Sequence, residues 1–427
     1  MAGLKQAGVS VACFLPDSLM KELYPALVLH QDIRAIPVTN EGEGAAICGG
    51  VWLSGKRAVL VMENSGLRAA AEPLARLGLG AGIPVVMIMS YRGDLGEPNW
   101  WAIPHGITME PMLKAMRIPY RVVRKACEVR TAIRDAYVTA CTSKYHAAVI
   151  LSGECIEADP STSVSPESWR QLAQAGTQTK TPQHLSERGR GPVGTGAEEI
   201  ASSASRDLQS AEPAMQPLQP VRPVPQMTRF ACMQVLAAKL KDELVILSLG
   251  GSVDEWYTAA PHMREASLFQ QQLGCVTPEA FGLSIGLPHR RIVSLDTDGG
   301  MLFNLGTLAT LSNEQPRNLT VIVWDNQCYL SIGGPPTHTS RRVDLAAIAR
   351  GAGIRHAYAV DNLTDMERLC AKALAADELY LLVAKVAPRV EPGLQRKHSD
   401  GIEDKYTFVR HIERAEGVSI IGPSEHN

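Results

Sequence analysis

Ile292 to Gly300, IVSLDTDGG, is an apolar run that ends in two aspartates and two glycines. Branched aliphatic residues in a row read as a strand covered on both faces of a parallel sheet, and in such sheets ligands sit outside the carboxyl ends of the strands. Asp296 and Asp298 stand at that end. The plainest use for them is structural: an aspartate caps the next helix while the glycines supply a tight turn. The residues that follow offer a chemical use. MLFNLGTLATLSNEQ has leucines at helical spacing, and NLTVIVWDNQCYLSIGG is another buried strand, ending in Asp325 and Asn326. Asn326 lies 326 − 298 = 28 residues after Asp298. The order strand, acid-Gly-Gly, helix, strand, Asn puts Asp298 and Asn326 on neighbouring strand ends. A carboxylate and an amide carbonyl are hard oxygen ligands, suited to a Mg²⁺ that keeps waters and bridges a diphosphate. Gly299 and Gly300 let backbone amides approach phosphate oxygens. Gly250, Gly251 and Ser252 in SLGGSVDEW follow a strand and open a helix, so their amides and hydroxyl could hold the same group. A Gly-Gly-Ser turn is also a common loop feature.

Residues of this kind need strand ends to carry them, and two blocks of the chain supply these. VSVACF, RAVLVM, PVVMIMS and AAVILS alternate with helical stretches in the first block; ELVILSL, RIVSL, LTVIVW and LYLLVA do so in the second. Such alternation predicts an α/β protein of two domains, each a mainly parallel sheet with helices on both faces. From Glu157 to Met227 the chain turns rich in Ser, Pro, Gln and Gly and poor in large apolar residues. A segment of that composition cannot bury enough surface to offset its ordering entropy, so it reads as a long disordered linker with a possible short helix near Glu198 to Leu208. The predicted organisation is a first domain over 1–156, a flexible linker over 157–227, a second domain over 228–390 and a polar tail over 391–427. Within the tail, EDKYTFVRHIERA could form a terminal helix, docked or free. No repeat of 20 to 50 residues is visible, so any likeness between the halves is architectural.

Composition narrows the partners. Forty-two basic and 44 acidic residues give a net charge of −2, which provides no global field for nucleic acid or an anionic membrane. An anionic ligand must therefore be held locally. The nine cysteines are scattered through apolar context without a CxxC pair, arguing against zinc or disulfides and for a reducing compartment. The N-terminal apolar run reaches a Pro-Asp turn too early for a secretory signal, and no window approaches a membrane span. A cytoplasmic protein is expected.

The acid-Gly-Gly and Asp-Asn pattern resembles the thiamine diphosphate enzymes, whose signature is Gly-Asp-Gly followed at a fixed interval by Asn-Asn. The resemblance implies thiamine diphosphate and Mg²⁺ as cofactors, with Asp298, Asn326 and the backbone carbonyl of Cys328 as metal ligands. Thr297 stands where the family usually has Gly, and Asp325 replaces the first Asn. The family also requires a glutamate at the start of a small-residue helix, to hydrogen-bond the aminopyrimidine ring. VTNEGEGAAICGG supplies Glu41 for that role, with Glu43 as its competitor. In the bland alternative Asn40 is an N-cap and Glu43 completes a capping box. A buried carboxylate favours the protonated ring nitrogen, which lets the ring act on the thiazolium proton. The two domains are then pyrimidine-binding and diphosphate-binding, each with the thiamine diphosphate-binding fold.

IPVTNEGEGAAICGGVWLSGKRAVLVMENSGL, MSYRGDLGEPNW and GGPPTHTS narrow the resemblance to sulfopyruvate decarboxylase, with phosphonopyruvate decarboxylase as near relative. The implied reaction converts 3-sulfopyruvate to sulfoacetaldehyde; phosphonopyruvate or another acidic 2-oxoacid is the alternative. A catalytically silent cofactor-binding protein is the reading from a different class. Arg92, after the PVVMIMS strand, could pair with the remote sulfonate or phosphonate, or could be a surface residue paired with Asp94 or Glu97. Pro16, Asp17 and Ser18 resemble a family turn at the pocket mouth. Asn64 and Ser65 occupy another strand-end turn that could face the thiazolium, and Val276 stands where a family methionine supports the bent cofactor. His105 and His338 are the candidates for proton transfer, although most histidines end as surface or core residues. Glu63 and Arg68 depart from the family's Gln and Gly, which changes the charge of the pocket. A homodimer or homotetramer is implied, with sites between protomers.

Overall fold

The computed structural model describes residues 1–156, 223–270, 272–394 and 400–422. The linker expected over 157–227 falls almost wholly outside the described residues, as does the short helix expected near Glu198 to Leu208. Among the described residues twelve strands form two sheets. The first comprises β1 (Val9–Phe14), β2 (Arg34–Pro37), β3 (Arg57–Glu63), β4 (Val86–Ser90), β5 (Tyr120–Val123) and β6 (Ala147–Leu151), in the order β2-β1-β3-β4-β6-β5. The second comprises β7 (Leu244–Ser248), β8 (Ser267–Gln270), β9 (Ile292–Thr297), β10 (Leu319–Asp325), β11 (His356–Val360) and β12 (Tyr380–Lys385), in the order β11-β12-β10-β9-β7-β8. Every pairing is parallel. Renumbered from its own first strand and read from the other edge, the second sheet repeats the order of the first. The likeness between the halves is thus one of topology.

The apolar runs become central strands because both of their faces are covered: β4, β6, β7 and β10 are buried at every residue. Edge strands β2, β5 and β11 carry exposed positions, which discourages further pairing. Strand order reverses between β1 and β3 and between β7 and β9. A crevice opens at such a point, outside the carboxyl ends.

Seven helices bear on the site: α1 (Glu41–Leu53), α2 (Ile103–Ala115), α3 (Arg229–Ala237), α4 (Gly251–Ala259), α5 (Val276–Gly286), α6 (Asp298–Phe303) and α7 (Gly401–Glu416). In α1 only Trp52 escapes burial, and in α5 only Ile285. Helices covered all round must lie inside, and these two cross between the sheets. Their backbones touch there: a Cβ on Gly50 would sit 1.9 Å from Glu279 O, and one on Gly282 2.1 Å from Ile47 O. Ile47 and Val51 share one apolar cluster with Phe281 and Leu283, so a single core runs through the crossing. Arg34 pairs with Glu314 at 2.5 Å across the same divide. The terminal helix expected in the tail is present and docked. Phe408, Val409 and Ile412 of α7 are buried, Lys405 Nζ donates to Gly82 O at 3.2 Å, and Arg414 pairs with Glu265.

Glu279, inside the crossing, is fully buried; Gln270 donates to its Oε2, while Oε1 has no partner. Burial pushes its carboxyl from 4.5 up to about 8. Between those values the folded chain keeps a proton that the unfolded chain has lost, so stability falls as pH rises through the window. Glu279→Gln is expected to flatten that fall. Melting temperatures of both proteins at about pH 6 and about pH 9 check it, and equal slopes refute it.

Candidate active site

At the edge of the second sheet the cap of α6 is Thr297, whose Oγ1 accepts from Gly300 N at 3.0 Å. The departure from Gly is therefore a helix cap, and it relieves Asp298 of that duty. Asp296 is also accounted for: it accepts from Thr277 Oγ1 at 2.7 Å and Thr297 N at 2.8 Å, tying the start of α5 to β9. Its carboxylate fills the space where a Cβ on Gly300 would lie, 2.2 Å away. Asp298 is buried, and its Oδ2 accepts from Thr337 Oγ1 at 2.5 Å and Thr339 Oγ1 at 3.1 Å. Burial raises its carboxyl to about 6, against the pull of the Thr337 hydroxyl. Asp325 forms an ion pair with Lys385, its register partner on β12, and accepts from Thr339 Oγ1 at 2.7 Å. The charge introduced by that second departure is thus met locally.

Asn326 is buried and its Oδ1 accepts from Cys328 N at 3.2 Å, turning the chain so that Gln327 takes φ +63°. Among the described residues no cluster of three His, Cys, Asp or Glu could hold a metal. A cation here would have one carboxylate and neutral oxygens, a donor set that fits Mg²⁺ when a diphosphate completes the shell. The α4 edge fits such an anion. Gly250 has φ +98°, no side chain caps the helix, and its first amides are left for a ligand. The Ser252 hydroxyl instead donates to Ser248 O at 2.9 Å. Arg229, which sequence reasoning missed, pairs with Glu255 while its Nη2 is buried without a partner, 3.7 Å from where a Cβ on Gly251 would lie. Because α3 runs into β7, its first turn must lie at the ligand edge of that strand. That connectivity was the available signal. Val276 is buried as the first residue of α5. His338 is exposed, whereas its neighbours Thr337 and Thr339 point inward to Asp298. The PPTHTS stretch serves this edge through its threonines.

The first sheet's edge repeats the logic. Asn40 caps α1 by accepting from Glu43 N at 2.9 Å, and Glu43 Oε2 accepts from Thr39 N and Thr39 Oγ1, each at 2.7 Å. Glu43 Oε2 is taken up by this cap, while its Oε1 is buried without a partner. Glu41 is left buried against the Asn64-Ser65-Gly66 turn, so close that a Cβ on Gly66 would lie 2.5 Å from its Cγ. Burial raises its carboxyl above the usual range. Asn64 clasps the next strand end through Nδ2 to Arg92 O at 2.8 Å, while the Ser65 hydroxyl bonds Glu63. Arg92 is buried rather than on the surface. It pairs with Glu97 at 3.1 Å, donates to Ser18 Oγ at 3.2 Å and stacks on Trp101 with 4.7 Å to the ring centroid. Asp94 pairs with Arg124 instead. Asp17 Oδ2 accepts from Leu19 N at 3.1 Å, and Tyr24 OH accepts from Asp17 N at 2.7 Å. Asp17, Ser18 and Arg92 therefore converge; Pro16, Asp17 and Ser18 also line a cleft of about 2230 Å³ whose walls do not include Glu41, Arg92, Asp298 or Asn326. His105 lies between Glu63 and Arg68.

The two edges are tied to one another. Asn40 Nδ2 donates to Asn304 Oδ1 at 2.9 Å, and Asn304 Nδ2 donates to Gly274 O at 3.1 Å. The cap residue of Glu41's helix thus touches the end of Asp298's helix within one chain.

Residues 251–384 match the family described as the C-terminal TPP-binding domain of thiamine pyrophosphate enzymes. Over 93% of its length the chain is 28% identical to a phosphonopyruvate decarboxylase of Streptomyces viridochromogenes, covering 89% of that protein. Over 34% of its length it is 33% identical to the alpha subunit of sulfopyruvate decarboxylase from Methanococcus maripaludis, covering 87% of that subunit. Benzoylformate decarboxylase from Polynucleobacter necessarius has a similar fold, with a TM-score of 0.62 and 14% identity over 91% of this chain and 98% of that one. Among the described residues no helix is long and apolar enough to cross a membrane.

Proposed function

We infer the reaction from one premise: the chain belongs to the thiamine diphosphate-dependent 2-oxoacid decarboxylases of the phosphonopyruvate and sulfopyruvate type. The proposed reaction takes a 2-oxoacid with a terminal sulfonate or phosphonate, first of all 3-sulfopyruvate, to carbon dioxide and the corresponding aldehyde, with uptake of one proton. Thiamine diphosphate, when bound, supplies the electron sink for the bond that breaks. Asp298, Asn326 and the Cys328 carbonyl would hold Mg²⁺; the amides of Gly250, Gly251 and Ser252, with Gly299 and Gly300, would hold the diphosphate. Glu41 would keep a proton at the aminopyrimidine ring, and Val276, Asn64 and Ser65 would border the cofactor. Pro16, Asp17, Ser18 and Arg92 would receive the substrate, with His105 and His338 as proton-transfer candidates. The proposed working unit is a homodimer or homotetramer, in the cytoplasm.

One observation carries the proposal. Glu41 and Asp298 each stand first in a helix that a neighbour, Asn40 or Thr297, already caps. Two buried carboxylates at the two sheet edges are thereby spared the role of N-cap, each meeting only its own or the next backbone amide of the helix, at a cost in desolvation that a bound cation or protonated ring would offset. A panel of sulfopyruvate, phosphonopyruvate and pyruvate, each with and without thiamine diphosphate and Mg²⁺, tests it. Carbon dioxide is expected from an acid with an anionic terminus only when both cofactors are present, and Asp298→Asn should remove the response to Mg²⁺. Faster release from phosphonopyruvate would reassign the substrate; no release from any acid would sink the reading.

A further inference from the structure

Glu63 and Arg68, the two departures from the family pattern in the first half, address opposite sides of one imidazole. His105 is the third residue of α2, at the crevice where strand order reverses between β1 and β3. Arg68, in the short helix Gly66–Ala69, anchors Nη1 on Pro104 O at 3.2 Å and Thr108 Oγ1 at 2.7 Å, and brings Nη2 within 2.7 Å of His105 Nδ1. A guanidinium has donors and no acceptor, so Nδ1 must accept and the ring proton must reside on Nε2. Nε2 lies 3.3 Å from Glu63 Oε1, the last residue of β3.

The charges around the ring point the same way. Burial, then Arg68 and Arg92, hold the His105 pKa below its ordinary 6.5, against the charge of Glu97 and the Glu63 carboxyl beside Nε2. Burial, then the neighbouring Asp17, raise Glu63, against a hydrogen bond from Ser65 and the charge of Arg92. Asp17 Oδ1 is buried with no donor, and Asp17 neighbours Glu63.

We propose that Arg68 is a positioning residue that holds His105 as a neutral, Nε2-protonated imidazole whose N–H is directed at Glu63. Only the catalytic use of that imidazole rests on the decarboxylase reading. The lock itself is a property of three side chains, Arg68, His105 and Glu63.

The test is a pH titration of the full-length protein labelled with ¹⁵N at histidine, with His105 assigned through His105→Asn. In the unaltered chain His105 should stay in the Nε2–H form and take up its second proton only below the ordinary value. Arg68→Gln should raise that midpoint by roughly one pH unit and populate both tautomers. Arg68→Lys, which keeps a charged donor, should restore most of the shift. An Nδ1–H form in the unaltered protein, or an unchanged titration in Arg68→Gln, overturns the proposal. In turnover assays the acid limb of the pH profile should move upward with Arg68→Gln. Absence of turnover in every protein would defeat the decarboxylase reading while leaving the titration to decide the lock.

Discussion

Glu41→Gln is expected to lower cofactor-dependent turnover by about 10²–10⁴-fold, the range associated with loss of a positioned acid or base, while folding is retained. The amide keeps the shape of the carboxyl and cannot carry its charge, so it cannot favour a protonated ring nitrogen. The helix start does not rest on that charge alone, because Asn40 and Glu43 do the capping. Measured turnover within a few-fold of the unaltered protein would end the assignment of Glu41. The companion substitution Glu43→Gln should act differently. It weakens the bonds to Thr39 N and Oγ1, and its effect should appear mainly in melting temperature.

Gly50→Ala carries the largest expected effect on stability. Its new methyl group would meet a backbone oxygen, Glu279 O, 1.9 Å away, where no flexible side chain can give. Relief requires α1 and α5 to move apart, loosening the core that joins the halves, and a cost of about 3 kcal/mol or more is expected from overpacking of this kind. The denaturant midpoint measures it. Since the same crossing holds Asn40 near Asn304, thiamine diphosphate affinity should fall as well. A variant as stable as its parent would mean that the helices do not meet as closely as described.

Much of the fold was legible because its strands are short unbroken apolar runs, and only a sheet covered on both faces calls for those. The positions of Asp298 and Asn326 were legible for the same reason, as residues at strand ends. Other features were not. Thr297 and Asp325 stood out as departures from the family pattern, yet one is a cap and the other is neutralised by Lys385, some 60 residues further along the chain. Arg92 was open to two readings, a substrate cation or a surface ion pair; it is buried, where Glu97, Ser18 and Trp101 orient its guanidinium. Thr337 and Thr339 passed unnoticed beside His338, because hydroxyls at alternate positions leave no mark in composition.

By itself the sequence determined two parallel α/β halves, the order of their strand-end motifs and the small-residue character of α1. These follow from local periodicity and from which residues tolerate burial, properties each segment carries alone. Tertiary structure decided which of Glu41 and Glu43 is free, that Gly50 and Gly282 let two helices touch, and that Glu63, Arg68 and His105 form one line. Those outcomes depend on which side chains distant in the chain arrive at one place, and close packing settles that only when both sheets and the helices between them are assembled.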